Sequence, residues 1–321
     1  MSVLVVDAGT TSVRAAVVRP DGTVTEEHRR ALAVSSPNPG FVEFDPRALA
    51  AAALEVAELA SQHCGDVAAV GIAAQRASTV VWDRASGEPV GPGIGWQDLR
   101  TVPMCLALRD QGVRLAPNAS ATKLALLLDM ADPGRDRDLC FGTVDSWLAW
   151  ALSSGALHVT DATNAGVTGL MSLDGSGWDE RVLDALRIPE AVLPRIVDTS
   201  GILGPALALS CMPPLAALAG DQQASLVGQG CTRPGLAKAT FGTGGMLDVC
   251  VGADRPAFAV RGEAGCFPVI AWRRGGVDAW GVEAVMLTAG AAVDWLRQDL
   301  GLFEQPEDSA ALAAAAQPVG D

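Results

Sequence analysis

The sequence has no tyrosine, only three histidines and an odd seven cysteines, and each shortage removes a class of function. His28, His63 and His158 stand far apart, and no metal-ligand spacing emerges from them. The cysteines (64, 105, 140, 211, 231, 250 and 266) are scattered without a C-x-x-C pair. They read as reduced, mostly buried thiols of a cytoplasmic protein. Basic residues are also short: 23 Lys and Arg against 37 Asp and Glu leave a formal net charge of −14. Nucleic acid or an anionic membrane would want a basic face, so neither is expected as a partner. No apolar run approaches the length of a membrane span. The N-terminus lacks the basic leader of a signal peptide, and Asp7 interrupts its one apolar stretch. Neither G-x-x-x-x-G-K-[ST] nor G-x-G-x-x-G occurs, which withdraws support from P-loop and dinucleotide chemistry.

What is present is an ordinary globular composition, 49% hydrophobic and 19% charged, in a chain of 321 residues that is long enough for two domains. Two apolar runs, Val3 to Val6 and Val13 to Val18, flank the turn Asp7-Ala8-Gly9-Thr10-Thr11-Ser12. Asp21-Gly22 then marks a second hairpin, so the chain opens on a three-strand meander. Asp45-Pro46 starts a helix that is expected to run to about Cys64 and stop at Gly65. Short strands follow at Val67 to Ala73 and Val80 to Trp82, with helices near 101–111, 122–130, 143–152 and 179–186. The polar stretch His158 to Gly169 reads as a loop, and Leu215 to Ala219 as a strand. Val285 to Leu300 has helical spacing, with Met286, Ala289, Val293 and Leu296 on one face; the alanine-rich tail from Pro306 has no hydrophobic pattern. A meander followed by alternating strands and helices implies an α/β fold with a mixed sheet and helices on its faces.

The opening turn combines a carboxylate, a glycine and three hydroxyls, which suits a polyanion and a metal ion. A structural hairpin with solvated threonines is the plainer alternative. Thr240-Phe241-Gly242-Thr243-Gly244-Gly245 repeats the chemistry between strand-like runs, and the pair implies a nucleotide held by two related halves. Asp221 follows a small-residue strand and a glycine, where a carboxylate serves as general base or as helix N-cap. Arg76 and Trp96 stand at strand exits, either against a polyol or as an Arg76–Asp98 surface pair with a core tryptophan.

In chain order the segments are Asp7 to Arg14, Gly71 to Asp83 (GIAAQRASTVVWD), Gly95-Trp96-Gln97-Asp98 and Ser120-Ala121-Thr122-Lys123. Thr160 to Ala165 (TDATNA), Ala219-Gly220-Asp221-Gln222-Gln223, Thr240 to Gly244 and Ala289-Gly290-Ala291-Ala292 complete them. Each is weak alone; together, in this order, they resemble the FGGY carbohydrate kinases, and the glycerol kinase branch most closely. The resemblance implies the actin-like ATPase fold, two domains each built on a ribonuclease H-like core. Residues 1–228 would form a complete N-terminal domain for substrate, magnesium and phosphate, and 229–321 the start of the second domain. It implies transfer of the γ-phosphoryl of ATP, with Mg2+, to a polyol or sugar hydroxyl. By the same resemblance Asp221 is the catalytic base and Asp7 the carboxylate that holds Mg2+. Thr10, Thr11, Ser12 and Arg14, with Gly242, Thr243 and Gly290, match nucleotide-phosphate contacts. Arg76, Asp221 and Gln222 match polyol contacts, and Trp96 the aromatic wall. An actin-like chaperone would share the phosphate turns but would not need Gln75-Arg76, Trp96 or Asp221-Gln222.

Three substrate positions depart from the glycerol kinase pattern. Ala77 replaces a glutamate, Asn118 a tyrosine, and Met246 an aromatic residue. Loss of a buried partner costs orders of magnitude in discrimination, so the expected acceptor is a different polyol or sugar, larger than glycerol. Asp294 stands where the family has a glutamine near the nucleotide and would need a metal or arginine beside it. The family's adenosine-clasping segments do not follow Asp321. The expectation is therefore a fragment of a longer kinase or a shortened, impaired polyol-binding remnant. An exposed sheet edge at such a cut would favour association between copies of the chain.

Overall fold

Alternation sets the first sheet. In β1 (Ser2–Ala8) and β2 (Ser12–Val18), Leu4, Val6, Ala8, Val13, Ala15 and Val17 are all buried. Their register, Val3 opposite Val18 and Asp7 opposite Arg14, is fixed because a one-residue slip would turn the whole apolar set to solvent. β3 (Val24–Ala31) joins β2 antiparallel beyond Gly22, whose φ of 84° suits the turn. The computed structural model describes residues 1–62, 67–242, 244–258, 265–286 and 288–316. The expected helix end at Cys64–Gly65 and the phosphate candidate Thr243 lie outside the described residues. The chain divides into two compact units, Met1–Ser225 with Val269–Ala279, and Leu226–Pro268 with Trp280–Asp321. Among the described residues no helix is long and apolar enough to cross a membrane. The described cysteines are all free, and burial pushes the Cys140 thiol up to about 12.

In the first unit, α1 (Pro46–Ser61) starts where the Asp45 carboxylate accepts from Arg47 N at 2.8 Å. Its buried Leu49, Ala53, Val56 and Ala60 recur at helical spacing and pack in one core with β1 and β2. α2 (Ala121–Ala131) serves a second core with Val81, Ile94 and Phe141, and α3 (Val144–Leu152) adds Leu148 and Leu152 to the first. β4 (Val67–Ala74), β5 (Ser200–Pro205) and β6 (Pro214–Gly220) complete a six-stranded sheet in the order β5-β6-β4-β1-β2-β3. β1, β4 and β6 run parallel, with Ala8 beside Ala74 and Ala74 beside Gly220. Their C-terminal ends therefore finish level on one edge of the sheet, and α4 (Asp221–Gly228) leaves directly from β6.

The second unit holds β7 (Ala237–Phe241) and β8 (Gly245–Gly252), followed by β9 (Cys266–Arg274) and β10 (Val277–Met286), in a sheet ordered β7-β8-β10-β9. The tip of the β9–β10 hairpin, Val269–Ala279, is the part that belongs to the first unit. Lys238 stands opposite Asp248, and Asp248 opposite Glu283, a buried row across three strands. Lys238 Nζ lies 2.9 Å from Asp248 Oδ2, while burial and the neighbouring Glu283 push the Asp248 carboxyl up to about 7.

Two sequence expectations are corrected here, and one stretch with no expected element gains one. The polar stretch 158–169 contains a strand, Val159–Asp161, and a helical turn, Ala162–Ala165; its polar side chains are buried and bond one another. Val285 and Met286 are not helical: they end β10, paired with Met246 and Gly245, and α5 (Gly290–Gln298) starts only at Gly290. The tail forms α6 (Asp308–Ala315), since alanine favours helix without an apolar stripe.

Candidate functional site

The level strand ends gather residues from the front, middle and end of the first unit. Gln75 N donates to Ala8 O at 2.8 Å, so the chain leaves β4 still tied to β1 and buries the Gln75 side chain beneath the opening turn. Thr10 Oγ1 (3.3 Å) and Ser78 Oγ (3.0 Å) both donate to Gln75 Oε1, and Gln75 Nε2 donates to Gly9 O at 3.3 Å. Trp96 Nε1 donates to Thr10 Oγ1 at 3.2 Å, and Trp96 N to Ser78 Oγ at 3.1 Å. The indole is thereby fixed beside the turn.

Within that turn Gly9 N donates to Ser12 O at 3.0 Å, and Thr11 stands exposed. Arg14 Nη2 donates to Asp7 Oδ2 at 2.8 Å across the hairpin, so a cation and a carboxylate sit together at its base. At the end of β6, a Cβ on Gly220 would come within 2.6 Å of both Arg76 Cδ and Gln223 Oε1, so only glycine allows this approach. Arg76 Nε lies 3.6 Å from Asp221 Oδ1, with Arg76 11% and Asp221 34% exposed. Gln222 N donates to Asp221 Oδ1 at 2.8 Å, and Gln222 is buried. The alternative Arg76–Asp98 pair does not form. Asp98 is fully buried and takes Arg100 Nη2 at 2.7 Å and Val42 N at 2.6 Å. Burial opposes the Asp98 charge, but these donors hold its carboxyl below the ordinary range.

Two further contacts bring Ala77 and Asn118, candidate acceptor positions, into the same region. Ala77 adopts φ 60°, and its carbonyl accepts from Ser120 Oγ at 3.1 Å. Lys123 is buried and donates to Asn118 O at 3.0 Å and Trp96 O at 3.4 Å. Burial pushes its ammonium down to about 7. Positions 76–77, 96, 118–123 and 221–222 are thus linked. Gln75 as a brace, Ser78 and Lys123 were not identified as site-building residues in the sequence, because their partners lie on other elements.

Within the second unit, Gly242 N donates to Gly244 O at 2.9 Å and Gly290 N donates to Gly242 O at 2.8 Å, so the two candidate glycines meet. Asp294 Oδ1 lies 3.5 Å from Arg297 Nη2, the neutralising arginine its position calls for. Among the described residues no cluster of three His, Cys, Asp or Glu could hold a metal ion. A single carboxylate at the turn still fits Mg2+, which completes its shell with water and phosphate oxygens.

A family model described as the FGGY family of carbohydrate kinases, N-terminal domain, matches residues 2–228. The glycerol kinase of Aromatoleum aromaticum is 43% identical over 332 residues, covering 97% of this chain and 66% of that protein. The glycerol kinase of Trichlorobacter lovleyi is 41% identical with the same coverage. The chain thus spans 66% of the length of these relatives. Among solved structures, Plasmodium falciparum glycerol kinase with ADP superposes with a TM-score of 0.89 at 22% identity, over 98% of this chain and 66% of that one. Ligand-bound xylulose kinase from Lactobacillus acidophilus gives 0.85 at 20% identity, over 98% and 66%. These likenesses show the mixed α/β actin-like ATPase fold. With the family model matched from residue 2 to residue 228, the chain belongs to the FGGY family of carbohydrate kinases.

Proposed function

We propose that the chain serves an ATP-dependent kinase that transfers the γ-phosphoryl group to a hydroxyl of a polyol or sugar. The observation that carries this reading is the approach of Arg76 Nε to within 3.6 Å of Asp221 Oδ1 at the level ends of three parallel strands, the first of which carries Asp7. Ligands of open α/β sheets bind outside the carboxyl ends of such strands. The 34% exposed Asp221 carboxylate accepts the proton of the attacking hydroxyl, and Arg76 beside it holds that carboxylate in place. Arg76 and Gln222 also bind the acceptor, and the Trp96 indole, fixed through Thr10 and Ser78, packs against its C–H face. Thr10, Thr11, Ser12 and Arg14 are assigned to nucleotide phosphate, as are Gly242, Thr243 and Gly290 in the second unit. Asp7 would hold Mg2+, which neutralises phosphate charge during transfer. Phosphoryl transfer needs little covalent help, so positioning and charge neutralisation are the work left to these residues.

The relatives named above are glycerol kinases. By the sequence resemblance we carry their base and phosphate positions over to this chain, which departs from the glycerol kinase pattern at Ala77 and Asn118. The small side chain at 77 and the missing tyrosine at 118 leave room, so the acceptor is a polyol or sugar longer than glycerol. We assign residues 1–228 to acceptor, metal and phosphate, and 229–321 to the start of the nucleotide-binding domain. ADP release measured against glycerol, longer polyols and ketoses tests the reading. A longer acceptor should give the highest kcat/KM, and Asp221→Asn should lower kcat on the order of 10²–10⁴-fold. Activity that survives Asp221→Asn overturns the assignment, and acceptor binding without ADP release marks a binding remnant instead.

A further inference from the structure

The buried turn at 159–165 has no part in the contacts assigned above, yet it is bonded to the residue immediately before Asp221. Along its outer edge β6 is paired by β5 only as far as Ala217, opposite Ser200, and Leu218 N donates to Thr199 O at 3.1 Å. Beyond that point no strand among the described residues pairs with β6 on this side. Gly220 N instead donates to Thr163 Oγ1 at 2.8 Å. On the other side Gly220 lies beside Ala74 of β4. The strand end that bears Asp221 is therefore gripped from both sides, once by backbone and once by a single hydroxyl.

That hydroxyl is oriented by Asp161. Thr163 Oγ1 donates to Asp161 Oδ1 at 2.9 Å, which leaves the threonine lone pairs to accept from Gly220 N–H. Asp161 is fixed in turn: Thr163 N (3.1 Å) and Thr199 Oγ1 (2.8 Å) donate to its Oδ2, and Asn164 N (3.0 Å) and Nδ2 (2.9 Å) to its Oδ1. Thr199 Oγ1 also accepts from Arg273 N at 3.0 Å. Asp161, Thr163 and Asn164 are fully buried, and a Cβ at position 220 would come within 2.6 Å of Arg76 Cδ. We propose that Thr163, oriented by Asp161, is a positioning residue that pins Gly220 and so sets the place of the Asp221 carboxylate against the acceptor hydroxyl. The proposal rests on the reading of Asp221 as the base, but the pin itself is measurable without catalysis.

The test is amide hydrogen exchange at Gly220 in the full chain, with phosphorylation kinetics beside it. In the unmodified protein the Gly220 amide should exchange as slowly as the amides of central β4, although its partner is a side chain rather than a strand. Thr163→Val, which keeps shape and removes the hydroxyl, should speed that exchange by about tenfold or more while β4 amides stay protected. It should also lower kcat on the order of 10- to 100-fold with little change in acceptor KM. Thr163→Ser should restore both. Fast Gly220 exchange in the unmodified protein overturns the proposal even if Thr163→Val does not fold. Equal loss in the Val and Ser variants, or unchanged exchange in Val, overturns it as well. If the unmodified chain transfers no phosphoryl group to any acceptor, the base assignment fails, and Gly220 exchange still decides whether the pin exists.

Discussion

Burial moves Asp145 and Lys123 in opposite directions toward the same pH. Desolvation, with the charge of Asp161 nearby, raises the Asp145 carboxyl from 3.8 to about 7, while desolvation lowers the Lys123 ammonium from 10.5 to about 7. For Asp145 the folded state holds a proton that the unfolded state has lost between about pH 4 and 7, so its stabilisation is full below 4 and is lost as pH rises through 7. For Lys123 the unfolded state holds the extra proton between about pH 7 and 10.5, so stability recovers as pH rises through that window. Each swing is at most roughly 5 kcal/mol, and together they place a stability minimum near neutrality. Urea midpoints from pH 5 to 9 should show that dip. Asp145→Asn should flatten its acid side and Lys123→Met its alkaline side; a slope unchanged by either substitution contradicts the assignment. At this scale local pattern pointed to residues with chemistry at a turn or strand end, Asp7 and Asp221, and Arg14 entered only through the family resemblance. Gln75, Ser78, Lys123 and Thr163 act through partners on distant segments, which no local pattern encodes.

The elements were most legible where one physical cause acted alone. Short apolar runs on either side of a glycine turn gave β1 and β2, and Asp45-Pro46 gave the start of α1. The errors arose where two causes competed. Polarity in 158–169 implied exposure, but Asp145, Asp161, Thr160 and Thr163 satisfy one another and so can be buried. Apolar spacing at 285–300 implied one helix, but pairing of Val285 and Met286 with β8 is worth more than a local turn. The same ranking of causes applies to α1, whose stability should come from packing more than from its cap. Asp45→Ala removes one hydrogen bond to Arg47 N and should cost about 1 kcal/mol. Leu49→Ala empties a buried site and should cost about 2–5 kcal/mol. Urea unfolding with unchanged m-values would measure both. Comparable losses would mean that the helix end, rather than its apolar stripe, limits α1.

Over the whole molecule the excess of acid sets the long-range field. A net charge of −14 repels a nucleotide polyanion at a distance. The assigned phosphate end does little to reverse that locally, since Arg14 is matched by Asp7 and Arg76 by Asp221. Phosphate binding under the proposed function then depends on backbone N–H groups and on the divalent cation rather than on surplus arginine. Two consequences follow for the kinase assay. Chelation of Mg2+ should abolish transfer, because both arginines assigned to the site are already matched by carboxylates. Raising KCl from about 10 to about 200 mM should lower the nucleotide KM or leave it flat, since salt shortens the reach of the repulsive field. A site built on unpaired arginines would behave oppositely, with KM rising as salt screens the attraction. A KM that climbs steeply with KCl would therefore show that the Asp7–Arg14 or Arg76–Asp221 pair opens when nucleotide binds, freeing its arginine for phosphate.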